Sequence, residues 1–205
     1  MAGAVRGINA GGGHADAMPL DVNDVAAVQK AIAAAAPFDV LVNNAGTNTP
    51  RTFLDVTVDD YDTIMGLNVR AAFFVAQAVA ARMVVAGNGG SIIHISSQMG
   101  HVGGPNRTVY CASKAALEGL TKAMSIDLAI HQIRVNTIAP TFTETPLTRA
   151  YFENAEFKSW VLEKIKLGRL GRVEDIMGAV VFLASPASAL MTGTSVVVDG
   201  GWTAG

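Results

Sequence analysis

Apolar residues in this chain fall into two alternating rhythms. Short β-branched runs stand at 38–42 (FDVLV), 91–95 (SIIHI), 133–139 (IRVNTIA) and 195–199 (SVVVD), and each stops at small or turn-forming residues. Runs of this length and composition read as buried strands. ADAMPLDV at 15–22 reads as a further short strand. Between these runs, helical periodicity fills 25–36, 57–86, 108–129 and 173–184. Asn23 or Asp24 can cap the first of these helices, and Thr57 with Asp60 makes a variant capping box for the second. The second helix is interrupted near Gly66–Asn68, where an amide in mid-helix marks a kink or a site. Residues 1–13 read as the tail of a helix followed by its glycine C-cap.

Helices alternating with buried strands imply one α/β domain over 1–205, a mostly parallel, doubly wound sheet with helices on both faces. Right-handed crossovers then bring every strand's carboxyl end to one edge. Residues 43–46, Ser97 and Pro140 each follow a strand, so they converge there. Residues 141–171 break the alternation with Thr, Pro and aromatic side chains, and are expected to cover a substrate.

Composition narrows the classes. Half of the 205 residues are hydrophobic and 16% are charged, which suits a sheet covered on both sides. A formal charge of −2 gives no electrostatic footprint for nucleic acid. Cys111 is the single cysteine, which rules out an intrachain disulfide and fits a reducing, cytoplasmic setting. Its expected role is a small core residue. His14, His94, His101 and His131 lack ligand spacing, so no metal is expected. The first residues lack a signal-peptide pattern, and the apolar segments read as too short and too broken to span a bilayer.

The chemistry concentrates in 91–114, SIIHISSQMGHVGGPNRTVYCASK. The strand ends at Ser96 and Ser97, a glycine-rich loop follows, and Tyr110 and Lys114 sit four residues apart on a helix. An ammonium one turn from a phenol is expected to lower the phenol's pKa from about 10. A strand-end serine facing that phenol can hold a carbonyl or alcohol oxygen, which makes a proton-transfer site for a C–O group. Gln98, His101 and Asn106 lie in the intervening loop, where they can contact polar groups of a substrate or stay solvated.

Taken together, Asn43-Asn44-Ala45-Gly46 after a strand, Asn68, and Ser97 thirteen residues before a Tyr110-x-x-x-Lys114 pair resemble the short-chain dehydrogenase/reductase family. Nearly the whole chain, from Leu20-Asp21-Val22 to the VVVDGG near its end, shares the likeness, most closely to gluconate 5-dehydrogenase, glucose dehydrogenase and 3-oxoacyl-carrier-protein reductase members. The resemblance implies a Rossmann-like three-layer αβα fold and NAD- or NADP-dependent interconversion of a secondary alcohol and a ketone on a small molecule, with sugar acids and polyols among the expected substrates. Tyr110 would be the acid/base, Ser97 would hold the substrate oxygen, and Lys114 would depress the phenol's pKa and grip the nicotinamide ribose. Asn68 would position a proton-relaying water. Asp21 and Val22 would border the adenine, Asn44, Ala45 and Gly46 the adenosine ribose, and Pro140, Thr143 and Thr145 the carboxamide.

Two departures from the family pattern stand out. Thr141 replaces the usual glycine after Pro140. At the N-terminus, Gly3, Gly7 and Ile8 mimic the phosphate-binding turn by chance, with Asn9 where its third glycine belongs. The first strands and the glycine-rich turn are therefore expected to be missing. An alternative follows from that: a catalytically weak chain that serves as an assembly partner. A homodimer or homotetramer is the implied state, with no nucleic-acid or membrane partner.

Overall fold

The computed structural model describes residues 2–146 and 148–205. Four strands form one parallel sheet among the described residues: β1 (Val40–Asn43), β2 (Gly90–Ile95), β3 (Ile133–Pro140) and β4 (Ser195–Val198), ordered β1-β2-β3-β4. Val42 pairs with Ile93, Ile95 with Ile138, and Pro140 with Val198, so the strands' carboxyl ends lie along one edge.

The helices are α1 (Ala2–Ala10), α2 (Val25–Ala34), α3 (Val58–Met65), α4 (Ala72–Ala86), α5 (Thr108–Leu128), α6 (Ala155–Lys164) and α7 (Val173–Ala184). Local chemistry sets their ends. The Asp24 carboxylate accepts from Ala27 N at 3.0 Å to open α2, and Thr57 and Asp60 cap α3 reciprocally. At the end of α1, Gly12 takes φ +86° while Gly13 N donates to Ile8 O at 3.0 Å, which is a Schellman closure.

Alternation along β2 divides the core between the two faces. Ile92 packs with Val28, Ala76, Val79, Met83 and Val135 beneath α2 and α4. Ile93 packs with Ile138 and Leu183 beneath α7. Each fully buried Val, Leu, Ile or Met among these contributes about 1.5–3 kcal/mol. A third cluster joins Met99, Val161, Ile165 and Trp202 with Phe142, Phe152, Phe157 and Trp160. It folds segment 141–171 over the carboxyl edge of the sheet.

Three expectations need correction. Residues 15–22 form no strand; Leu20 instead packs against the cluster below α2 and α4. Helix 25–36 stops at Ala34. The run Val58–Ala86 is a single helical rod, long and apolar enough by length and composition to cross a membrane. Here it buries Ile64, Asn68, Ala72, Ala76, Val79, Ala80 and Met83 within the fold. Its midpoint, Gly66–Ala71, is a π-helical turn, which is the interruption seen in the sequence.

Candidate active site

At the carboxyl edge a cavity of about 260 Å³ opens between β2, β3, the start of α5 and segment 141–171. Ser97, Tyr110 and Lys114 all line it. β2 delivers Ser97, and the single turn of helix between Tyr110 and Lys114 puts both on the wall of α5 that faces it. Close approach at Gly100 makes this possible. A Cβ there would lie 3.1 Å from both the Lys114 carbonyl and Ser96 Oγ.

Lys114 is buried, and its Nζ donates to Ile95 O at 2.8 Å. Burial pulls its pKa down to about 8, against the pull of Glu118. The ammonium sits 5.6 Å from the centroid of the Tyr110 ring. Contrary to the sequence expectation, the phenol's pKa is raised, because burial outweighs the opposing Ser97 hydrogen bond and the Arg107 charge. Tyr110 therefore stays a phenol at neutral pH. The Ser97 hydroxyl donates to Gln98 Oε1 at 2.8 Å and accepts from Met99 N at 3.1 Å, so its orientation is fixed.

Asn68 sits behind this wall, fully buried, and does not line the cavity. Its Oδ1 accepts from Thr47 N at 2.8 Å, and its Nδ2 donates to Thr47 O at 2.9 Å and Ser113 Oγ at 3.0 Å. Ser113 Oγ in turn donates to Tyr110 O at 2.7 Å. The amide thus spends its hydrogen bonds clamping the loop after β1 to α5. That loop needs Gly46: a Cβ there would stand 3.2 Å from Asn68 Oδ1 and 3.6 Å from Lys114 Nζ.

Of the other sequence candidates, Asn44, Gly46, Gln98, Pro140, Thr143 and Thr145 line the cavity, whereas Ala45 does not. Asp21 and Val22 lie away from it, and Asp21 Oδ1 accepts from Asn23 N at 2.9 Å in a local turn. His101 also points elsewhere, with its Nε2 3.1 Å from Ser195 Oγ and 3.4 Å from Glu118 Oε1. Asn106 takes φ +57° and offers its carbonyl to Arg51 N, outside the cavity lining. Thr141 adopts no positive φ; it is buried and its N–H donates to Val198 O. The Cys111 thiol is pushed up by burial and packs beside the aromatic cluster, as a small core residue would. Among the described residues no cluster of metal-ligating side chains occurs.

Several lining residues escaped the sequence reading: Thr47, Asn48, Thr148, Tyr151 and above all Arg107. Arg107 is the residue just before α5, three positions ahead of Tyr110, and that nearness in sequence was the available signal. The nicotinamide end of a dinucleotide fits the residues present. Lys114 is a fixed donor, and Asn44, Gly46, Pro140, Thr143 and Thr145 line the wall around it.

The chain has relatives both in sequence and in fold. A family model described as enoyl-(acyl carrier protein) reductase matches residues 2–203. L-xylulose reductase of Bos taurus is 39% identical over 185 residues, covering 90% of this chain and 76% of that protein. The 2-dehydro-3-deoxy-D-gluconate 5-dehydrogenase of Escherichia coli strain K12 is 39% identical over 179 residues, covering 87% of this chain and 71% of that enzyme. A gluconate 5-dehydrogenase from Burkholderia cenocepacia J2315, solved with NADP and tartrate, superposes with a TM-score of 0.95 at 38% identity. That superposition covers all of this chain and 81% of the other.

Proposed function

We propose, from the premise that the chain belongs to the short-chain dehydrogenase/reductase family, that it interconverts a secondary alcohol and a ketone on a sugar-derived substrate with NAD or NADP. The observation that carries this reading is the meeting of Ser97, Tyr110 and Lys114 at one cavity beside Gly46. Bound nicotinamide cofactor would supply or accept the hydride. Asn44, Gly46, Lys114, Pro140, Thr143 and Thr145 are the residues that would hold its nicotinamide half. The Ser97 hydroxyl, turned from Gln98 Oε1, would donate to the substrate oxygen beside the Tyr110 hydroxyl. In reduction, Tyr110 gives its proton to that oxygen, and a phenol kept neutral by burial is ready to do so. In oxidation the same hydroxyl must take a proton, so the oxidative rate is expected to climb as pH rises. Lys114 stabilises the phenolate as it forms, and Asn68 keeps the Thr47 loop and α5 in register.

Tyr110→Phe tests the assignment directly. Turnover should fall on the order of 10³-fold while circular dichroism stays unchanged. Activity equal to that of the parent chain would reject it.

One observation favours a second reading. Gly3 and Gly7 lie inside α1, so among the described residues this stretch presents no glycine-rich turn to a pyrophosphate. A chain that binds dinucleotide weakly and persists as an assembly partner would look like this. Titration of NADH fluorescence separates the two, with saturable binding favouring the enzyme.

A further inference from the structure

We infer that Arg107 is an anion anchor in this cavity, and that the substrate carries a carboxylate: an aldonate or its keto acid, not a neutral polyol. The inference rests on the oxidoreductase reading above and narrows its substrate.

Arg107 is only 6% exposed, yet its side chain lines the cavity. Its hydrogen bond to the protein runs from Nη1 to Pro105 O, a weak 3.3 Å contact. Among the described residues no carboxylate lies within ion-pair distance of it; the other arginine pairs are Arg51–Asp60 and Arg169–Asp175. A buried cation without a counter-charge is costly to keep, so a partner from outside the chain is the natural complement. Burial also pushes the guanidinium's pKa below its ordinary value, which an anion would reverse.

Its position is fixed rather than incidental. The guanidinium carbon stands 5.2 Å from the Phe142 ring centroid and 5.4 Å from that of Phe157, two rings packed nearly perpendicular to each other. Such stacking holds the planar fork in one orientation while leaving its N–H edge for a ligand. A planar fork suits bidentate capture of a carboxylate. The cavity lining contains Arg107 and Lys114 and, among the described residues, no Asp or Glu. Lys114 gives one N–H to Ile95 O, and in the proposed reaction its remaining donors go to the cofactor and its charge to the phenolate. Arg107 sits at the start of α5, three residues before Tyr110, close enough that its charge acts on the phenol. A carboxylate on Arg107 therefore leaves the carbon chain running toward Ser97 and Tyr110. Asn48, Gln98, Thr143 and Thr148 line the wall with groups suited to sugar hydroxyls.

The competing explanation is that Arg107 merely pins α5 to the aromatic cluster. Matched substrates separate charge from packing. Steady-state kinetics with NAD and with NADP would compare gluconate with glucitol, and xylonate with xylitol, for the parent chain, Arg107→Met and Arg107→Lys. The parent chain should prefer the acids. Arg107→Met should lower kcat/KM for the acids on the order of 10²-fold, mostly through KM, and change the polyols less than about threefold. Arg107→Lys, which keeps charge without the fork, should fall between. Calorimetric titration of gluconate and xylonate into the chain without nucleotide should show saturable binding that Arg107→Met removes.

Equal losses for acids and polyols, or acid binding indifferent to Arg107→Met, would overturn the inference. Polyol turnover without acid binding would overturn it too, yet leave the oxidoreductase reading standing. Arg107-dependent acid binding without any turnover would do the reverse. Should Arg107→Met fail to fold, Arg107→Lys and the parent chain's acid-to-polyol ratio decide: a ratio near one overturns the anchor.

Discussion

His94 stands on β2 fully buried, and neither ring nitrogen has a protein partner. Burial first, and the Lys114 charge second, push its pKa down to about 4 from an ordinary 6.5. Between those values the unfolded chain binds a proton that the folded chain refuses. Stability must therefore fall as pH drops through that window, by about 3 kcal/mol over its full width. His94→Leu keeps the volume and removes the titration. Denaturant unfolding at pH 7 and pH 4.5 should show the acid penalty shrink by about 2 kcal/mol in the variant, and an unchanged penalty would refute this account. The same desolvation explains why the sequence misjudged Tyr110. Four-residue spacing located the phenol and the ammonium, but burial is a property of what packs over them. Segment 141–171 is remote in the chain, so its effect on Tyr110 could not be read from local pattern.

The π turn at Gly66–Ala71 is the element on which the cavity wall depends. One extra residue in the helical winding carries Asn68 inward, where it holds both backbone groups of Thr47 and the Ser113 hydroxyl. Asn68→Ala would leave the Thr47 N–H and C=O unpaired, a loss of about 2–3 kcal/mol. Hydrogen exchange should show the Thr47 amide losing protection while the amides of β3 keep theirs; retained protection at Thr47 would mean that the clamp is idle. The interruption itself was legible, because an Asn beside a Gly in mid-helix breaks local preference. The caps at Asp24 and Thr57 were legible for the same reason, since capping is settled within three residues. Residues 15–22 were not. A strand is defined by its ladder, and apolar, β-prone composition carries no information about whether a neighbour lies alongside.

At the scale of the molecule, what was most legible was convergence. Parallel strands with right-handed crossovers force their carboxyl ends together, and Ser97 and Pro140 met there without any knowledge of packing. Surfaces were less legible, because the helical pattern of α7 marks an apolar helix and not which side stays uncovered. In the structure Val173, Met177 and Val181 form a stripe at four-residue steps on α7, 51%, 54% and 65% exposed. Beside it, among the described residues, β4 pairs only with β3, leaving a free edge with Val197 also exposed. A stripe flanked by an unpaired edge suits a second copy of the same chain, since α7 against α7 about a two-fold axis buries the same side chains from both partners. Sedimentation velocity should therefore find a dimer or larger species at micromolar concentration. Met177→Arg should weaken association on the order of 10²-fold by placing two like charges across the axis. Leu190→Arg, at a fully exposed position outside α7, should leave it unchanged. A monomeric parent chain, or equal association for both variants, would show that the stripe is not where copies meet.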